Sequence, residues 1–124
     1  MKKFAFPRSA RLRLRKNFDF VFNKGKKTHT RDLALWSALP EDGGTGDGRK
    51  RMGLVLSRKV GGAVRRNRLK RLLREAFRLS KDGLKDGAEI IVYPKQGCGI
   101  NNLLQARAAL AAAWSRAKIR NADK

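Results

Sequence analysis

Apolar positions gather into six runs along the chain. Phe18, Val21 and Phe22 recur at i, i+3 and i+4, which predicts a short helix over residues 15–24. Gly25 stands where such a helix ends in a left-handed residue. Residues 32–39 alternate instead. Leu33, Leu35, Ser37 and Leu39 point one way, and Ala34, Trp36 and Ala38 the other, the pattern of a strand with one large aromatic. Pro40 stops it. Residues 51–57 form a second strand on Met52, Leu54, Val55 and Leu56. The segment between, residues 41–48, holds four glycines and suits a hairpin loop joining the two strands.

Gly61-Gly62 marks a bend before a long helix over residues 64–79. With Leu69 at zero and 100° per residue, Leu72, Leu73 and Ala76 lie within about 60° of it and Phe77 just beyond. Asn67, Arg71, Arg74 and Arg78 lie within about 40° of the opposite direction, flanked by Arg68 and Lys70. A turn with Gly83 and Gly87 leads to a compact buried strand over residues 88–93, closed by Pro94. Asn101 or Asn102 can cap a last, alanine-rich helix reaching about Ile119, anchored by Leu103, Leu110 and Trp114. The order is helix, strand, strand, helix, strand, helix. The expected fold is α+β: one small three- or four-stranded mixed sheet with three helices packed on it. One domain over residues 1–119 follows, with a basic arm at 1–14, the Gly-rich loop at 41–48 and a frayed tail at 120–124.

Charge changes this picture from fold to partner. The 124 residues carry 31 Lys and Arg against 10 Asp and Glu, a formal net charge of +21. So strong a field repels itself and serves no small neutral substrate, but it suits a dense polyanion. Nucleic acid is the leading candidate and an anionic membrane surface the weaker one. The cations are blocked: eleven in residues 1–31 beside one acid, Asp19, and twelve in residues 49–78 beside one acid, Glu75. The single cysteine, Cys98, allows no internal disulfide and no Cys-based zinc site. The single histidine, His29, leaves little scope for imidazole chemistry. The N-terminus lacks the apolar run of a signal peptide, and no stretch has transmembrane length, so the expected compartment is the cytosol.

Three constellations could carry chemistry. The densest runs from Arg65 to Glu75, with six cations in its first ten residues. A solvated face would mix signs, because like charges at i, i+3 and i+4 repel. The uncompensated ridge therefore favours polyanion binding, where each guanidinium fork can hold two phosphate oxygens. Asn67 adds a donor and an acceptor toward bases or sugar hydroxyls. The second constellation is Phe18 and Phe22 with Trp36, near Arg15, Lys16, Lys24 and Arg31. An i, i+4 Phe pair is commonly core, and it is also how a protein builds a stacking platform for unpaired bases; spacing leaves both readings open. The third, residues 57–62, places glycines before a helix but lacks the P-loop pattern, and a tight strand-to-helix turn explains it equally. The ten acids are scattered, so no cluster invites a protein-held metal pair and no catalytic set emerges. Cys98, between Gly97 and Gly99, has only His29 as a possible imidazole partner and reads as incidental rather than as a nucleophile.

The run Lys59-Val60-Gly61-Gly62-Ala63-Val64-Arg65-Arg66-Asn67-Arg68-Leu69-Lys70-Arg71-Leu72-Leu73-Arg74-Glu75 closely resembles the Arg-Asn-Arg block of the bacterial ribonuclease P protein subunit. Phe6-Pro7-Arg8, Arg11-Leu12 and Phe18-Asp19-Phe20-Val21-Phe22 resemble that family's amino-terminal segment. Met52-Gly53-Leu54-Val55-Leu56-Ser57-Arg58-Lys59 resembles its strand leading into the block, and residues 89–93 match a later strand in character. The Gly-rich loop and the tail after Ile119 carry no family signal. The resemblance implies a left-handed βαβ crossover, as in the domain-2-like fold of a small-subunit ribosomal protein, where physics alone favours the right hand. It also implies that an RNA subunit is the catalyst. That RNA, with Mg²⁺ held mainly by itself and none by the protein alone, hydrolyses the phosphodiester at the 5′ end of precursor tRNA. By position the resemblance assigns Arg66, Asn67, Arg68, Lys70, Arg71 and Arg74 to the catalytic RNA. It assigns Phe18, Phe22 and Trp36, with Arg58 and Lys59 on the basic side, to a cleft for the single-stranded 5′ leader. The implied partners are the RNA subunit and precursor tRNA, with no membrane and no obligate protein partner.

Two rivals share the charge and size. A small ribosomal or rRNA-binding protein would lack any catalytic role. A protein-only nuclease would need an acid–base or metal set that the sequence does not offer. A double-stranded DNA reader is weaker, because no helix with turn spacing precedes the basic one.

Overall fold

The computed structural model describes residues 15–40 and 49–120, with side chains from Asp19 onward in the first helix. The elements are α1 (Arg15–Lys24), β1 (Lys26–His29), β2 (Leu33–Ala38), β3 (Arg51–Leu54), α2 (Ala63–Ser80), β4 (Glu89–Pro94) and α3 (Leu103–Ala117). Short 3₁₀ turns at Arg58–Val60 and Lys81–Gly83 flank α2. The basic arm at 1–14, the Gly-rich loop at 41–48 and residues 121–124 lie outside the described residues.

The four strands order as β1-β2-β4-β3. β1 pairs antiparallel with β2, β2 antiparallel with β4, and β3 parallel with β4. This corrects two expectations. The strand β1 was not foreseen: of its four residues only Thr28 is buried, so it carries no alternation to read. And β2 and β3 do not form a hairpin across residues 41–48. β4, apolar from Ile90 to Val92 and buried on both faces, sits between them and pairs with each. The hairpin is β1–β2, closed through Thr30 N–H to the Leu33 carbonyl at 2.8 Å.

Alternation on β2 sorts the two faces as read. Leu33 and Leu35, with Ile90 and Val92 of β4, face the main core beneath α2 and α3. There Leu69, Leu73, Ala76 and Phe77 of α2 meet Leu110, Ala113 and Trp114 of α3. Phe77 and Trp114 pack edge to face with centroids 6.1 Å apart. The opposite face carries a smaller cluster in which Val21 of α1 packs with Ala38 and Ile91, and Phe20, Trp36 and Val55 lie against it. Thus α1 covers one side of the sheet, and α2 and α3 the other.

Local chemistry explains the boundaries. Asn102 is the cap of α3: its Oδ1 accepts the Gln105 N–H at 2.8 Å, while Gln105 Oε1 accepts the Asn101 N–H at 2.8 Å. Gly25 does not take the left-handed conformation expected of it; positive φ is confined to Gly61, Gly87, Gly97 and Lys118 among the described residues. A Cβ at Gly25 would stand 2.8 Å from the Ser37 carbonyl oxygen and closer still to that of Val21. Glycine is needed there for close approach of α1 to β2. Gly61, at φ 142°, does need glycine's freedom to turn the chain into α2. Arg120, placed in the frayed tail by sequence, pairs in an isolated bridge with Leu84.

Candidate nucleic-acid interface

The basic ridge forms on α2 because its apolar residues claim one side of the helix. Asn67, Arg68 and Arg71 are exposed, and Arg66, Lys70 and Arg74 are half-buried. Exposed Val64 stands in the same outward direction, 84% accessible at the first turn. The helix starts at Gly62 with no side-chain cap and no acid in its first turn. Its positive end therefore adds to the cationic field.

Not every cation of the ridge faces solvent. Arg65 projects within about 40° of Leu69, on the core side of α2. Its Nη1 donates to the Ile100 carbonyl at 2.8 Å and to Asn101 Oδ1 at 3.2 Å, and its Nη2 to the Cys98 carbonyl at 3.3 Å. Arg68 Nη2 donates to the Asn101 carbonyl at 2.8 Å. These two arginines tie the loop before α3 to the start of α2. At the far end Arg78 and Glu75 form a two-pronged ion pair. The hydrogen bonds from Arg78 hold the Glu75 carboxyl below its ordinary range, and Glu75 in turn raises Arg78.

The aromatic residues meet on the other side of the sheet. The rings of Phe22 and Trp36 lie 4.8 Å apart at 31°, and Phe22 is 44% exposed. Two residues that sequence reading missed join them. Tyr93 of β4 stands edge-on to Trp36 at 6.3 Å, and Lys27 Nζ of β1 lies 5.0 Å from the Trp36 ring centre. Register was the missing signal: Lys27 pairs with Trp36 directly, and Tyr93 pairs with the neighbouring Ala34. Neither pairing is visible without the strand order. The Phe18 side chain lies outside the described residues. Arg58 and Lys59 are exposed on the 3₁₀ turn capped by Ser57, whose Oγ accepts the Lys59 N–H at 3.1 Å. That turn follows β3 at the end of the sheet where Tyr93 lies, since β3 and β4 run parallel.

Among the described residues no three His, Cys, Asp or Glu side chains gather to hold a metal ion, and no helix is long and apolar enough to cross a membrane.

A ridge of cations and a separate aromatic platform have the chemistry to hold a nucleic acid backbone and unpaired bases. Comparison with known proteins gives that geometry a family. Residues 6–118 match the family model described as Ribonuclease P. The chain belongs to the ribonuclease P protein family. It is 38% identical over 109 residues to the ribonuclease P protein component of Desulfovibrio desulfuricans, covering 88% of this chain and 82% of that one. Among solved structures, the Staphylococcus aureus RNase P protein superposes with a TM-score of 0.75 at 27% identity, covering 90% of this chain and 98% of its own. The Thermotoga maritima RNase P protein superposes at 0.72 with 31% identity, covering 88% and 96%. The α+β fold, with its four-stranded mixed sheet and three helices, is therefore that of the ribonuclease P proteins. As the protein component of ribonuclease P, an endonuclease, it assists removal of the 5′ leader from precursor tRNA.

Proposed function

We propose that this chain bridges two RNAs, binding the catalytic RNA through α2 and the 5′ leader of precursor tRNA through the opposite side of the sheet. One observation carries the reading: the basic ridge and the aromatic platform stand on elements that pack against opposite faces of one rigid sheet. A single polyanion would be served by one continuous surface; two separate surfaces of different chemistry suit two ligands.

On α2, Arg66, Asn67, Arg68, Lys70, Arg71 and Arg74 bind the RNA subunit. Guanidinium forks and ammonium groups neutralise phosphates and release their condensed counterions. On the platform, Phe22 and Trp36 stack unpaired leader bases, and Phe18 of the same helix as Phe22 belongs to the same proposed leader-binding set. Lys27 supplies charge, and Arg58 and Lys59 hold the backbone at the Tyr93 end. Stacking and phosphate contacts are sequence-tolerant, as processing of many different leaders requires. Mg²⁺ is held mainly by the RNA subunit, and hydrolysis takes place there; the scattered acids of this chain support that division. The partners are the RNA subunit and precursor tRNA, and the compartment is the cytoplasm.

The test is removal of the 5′ leader from labelled precursor tRNA at low Mg²⁺, with RNA subunit alone, protein alone, and both. Cleavage that requires both is the expected result. Cleavage by the protein alone would place an active site on this chain. No stimulation of a competent RNA subunit would favour a ribosomal or rRNA-binding role.

A further inference from the structure

A cleft of about 290 Å³ lies between the β1–β2 turn and α3, apart from both the ridge and the platform. Ala108 and Ala112 of α3 give it an apolar floor, and Arg31, Asp32, Gly99 and Gln105 line it. Its walls are fixed in advance. The Asp32 carbonyl accepts the Lys95 N–H at 2.9 Å, and Lys95 Nζ reaches the Thr30 carbonyl at 2.7 Å. From the α2 side, Arg65 holds the Cys98 and Ile100 carbonyls of the same loop. A preorganised cleft loses little on binding.

Its polar groups have a definite pattern. Asp32 Oδ1 accepts the Gly99 N–H at 3.0 Å, and no described residue donates to Oδ2. Gln105 Oε1 is occupied by the Asn101 N–H, which leaves its Nε2 to donate. Arg31 stands at the rim, its side chain 88% exposed and its Nε 3.9 Å from Asp32 Oδ1. The cleft thus presents a carboxylate acceptor, an amide donor, an apolar floor for a flat ring and an exposed cation. A carboxylate repels phosphate, so the anionic part of a ligand belongs at the rim with Arg31.

We propose that this cleft binds one unpaired guanylate of an RNA. The base lies over Ala108 and Ala112, the Asp32 carboxylate accepts from the adjacent N1–H and N2–H, and Gln105 Nε2 donates to O6. Arg31 takes the phosphate. Guanine offers a carboxylate two neighbouring donors, whereas uracil offers one donor between two carbonyls that the carboxylate repels. The ligand class rests on the RNA-binding reading above, but the site is separate from both surfaces assigned there. Its failure would leave leader removal by the reconstituted enzyme untouched.

The test is titration of the ¹⁵N-labelled full chain with GMP and with UMP, followed by NMR. The expected result is movement of the Gly99 amide and the Gln105 side-chain amide with GMP at roughly tenfold lower concentration than with UMP. Ala112→Leu, which fills the floor from an exposed position, should abolish it; Ala108→Leu is the second variant should the first perturb the fold. Reconstituted enzyme carrying the variant distinguishes the source. Weaker binding of the RNA subunit places the guanylate there, and weaker binding of precursor tRNA places it on the substrate. Shifts confined to α2 and the Trp36 platform, equal response to GMP and UMP, or GMP shifts that survive both variants would overturn the proposal.

Discussion

The ring of Phe22 on α1 lies 4.8 Å from that of Trp36 on β2 while Phe22 remains 44% exposed. A ring this exposed can be reached by an unpaired base. Phe22→Ala should therefore weaken binding of leader-bearing precursor to the reconstituted enzyme by about 1–3 kcal/mol, the worth of one stacked base. Mature tRNA, which has no leader, should bind as before. Equal loss on both substrates would mean that Phe22 supports the fold.

Arg71 and Arg68 should behave differently although both are exposed on α2. Arg71→Ala should lower the slope of log K against log salt for RNA-subunit binding by roughly 1, with unchanged thermal stability. Arg68→Ala should lower the slope by a similar amount and also lose the hydrogen bond to the Asn101 carbonyl, costing about 1 kcal/mol of stability. Salt titrations and melting curves of the two variants separate these effects. Unchanged slopes in both would remove α2 from the RNA interface.

The Glu75–Arg78 pair sets a pH dependence whose sign is fixed. Arg78 holds the Glu75 carboxyl below its ordinary value of 4.5, so the pair's stabilisation is full above that pH. It is lost as pH falls from there through the lower folded value. The stability gap between the native chain and Glu75→Gln should therefore close on acidification below 4.5 and stay constant above it. At neutral pH the same variant should bind RNA more tightly and with a steeper salt slope, because Arg78 is released toward phosphate.

Helix α3 depends on its cap. Asn102→Ala removes the acceptor for the Gln105 N–H and should cost about 0.5–2 kcal/mol by chemical denaturation. Asn101→Ala leaves the backbone N–H that Gln105 accepts, although it removes an acceptor of Arg65, and should cost less.

Helix α2 was legible because Leu69, Leu73, Ala76 and Phe77 repeat at the helical period over about two turns, and all four are buried. The inward direction of Arg65 follows from the same projection, although by charge it counts with the basic block. What a single chain hides is pairing at a distance. β1 buries only Thr28, and β4 enters between β2 and β3 from well down the sequence. Lys27 and Tyr93 reach Trp36 only through that register. Phe22 and Trp36 could be named as candidates, but their contact depends on α1 lying across β2, which Gly25 permits by lacking a side chain.

The central claim is that one side of the sheet serves each RNA. The most direct measurement uses Trp36→Leu and Arg71→Ala in reconstituted enzyme, and reads two quantities for each variant: affinity for the RNA subunit, and the ratio of precursor to mature tRNA affinity. Trp36→Leu should lower the ratio alone, and Arg71→Ala should lower RNA-subunit affinity alone. If each variant moved both quantities together, the two surfaces would be one, and the bridging account would be wrong.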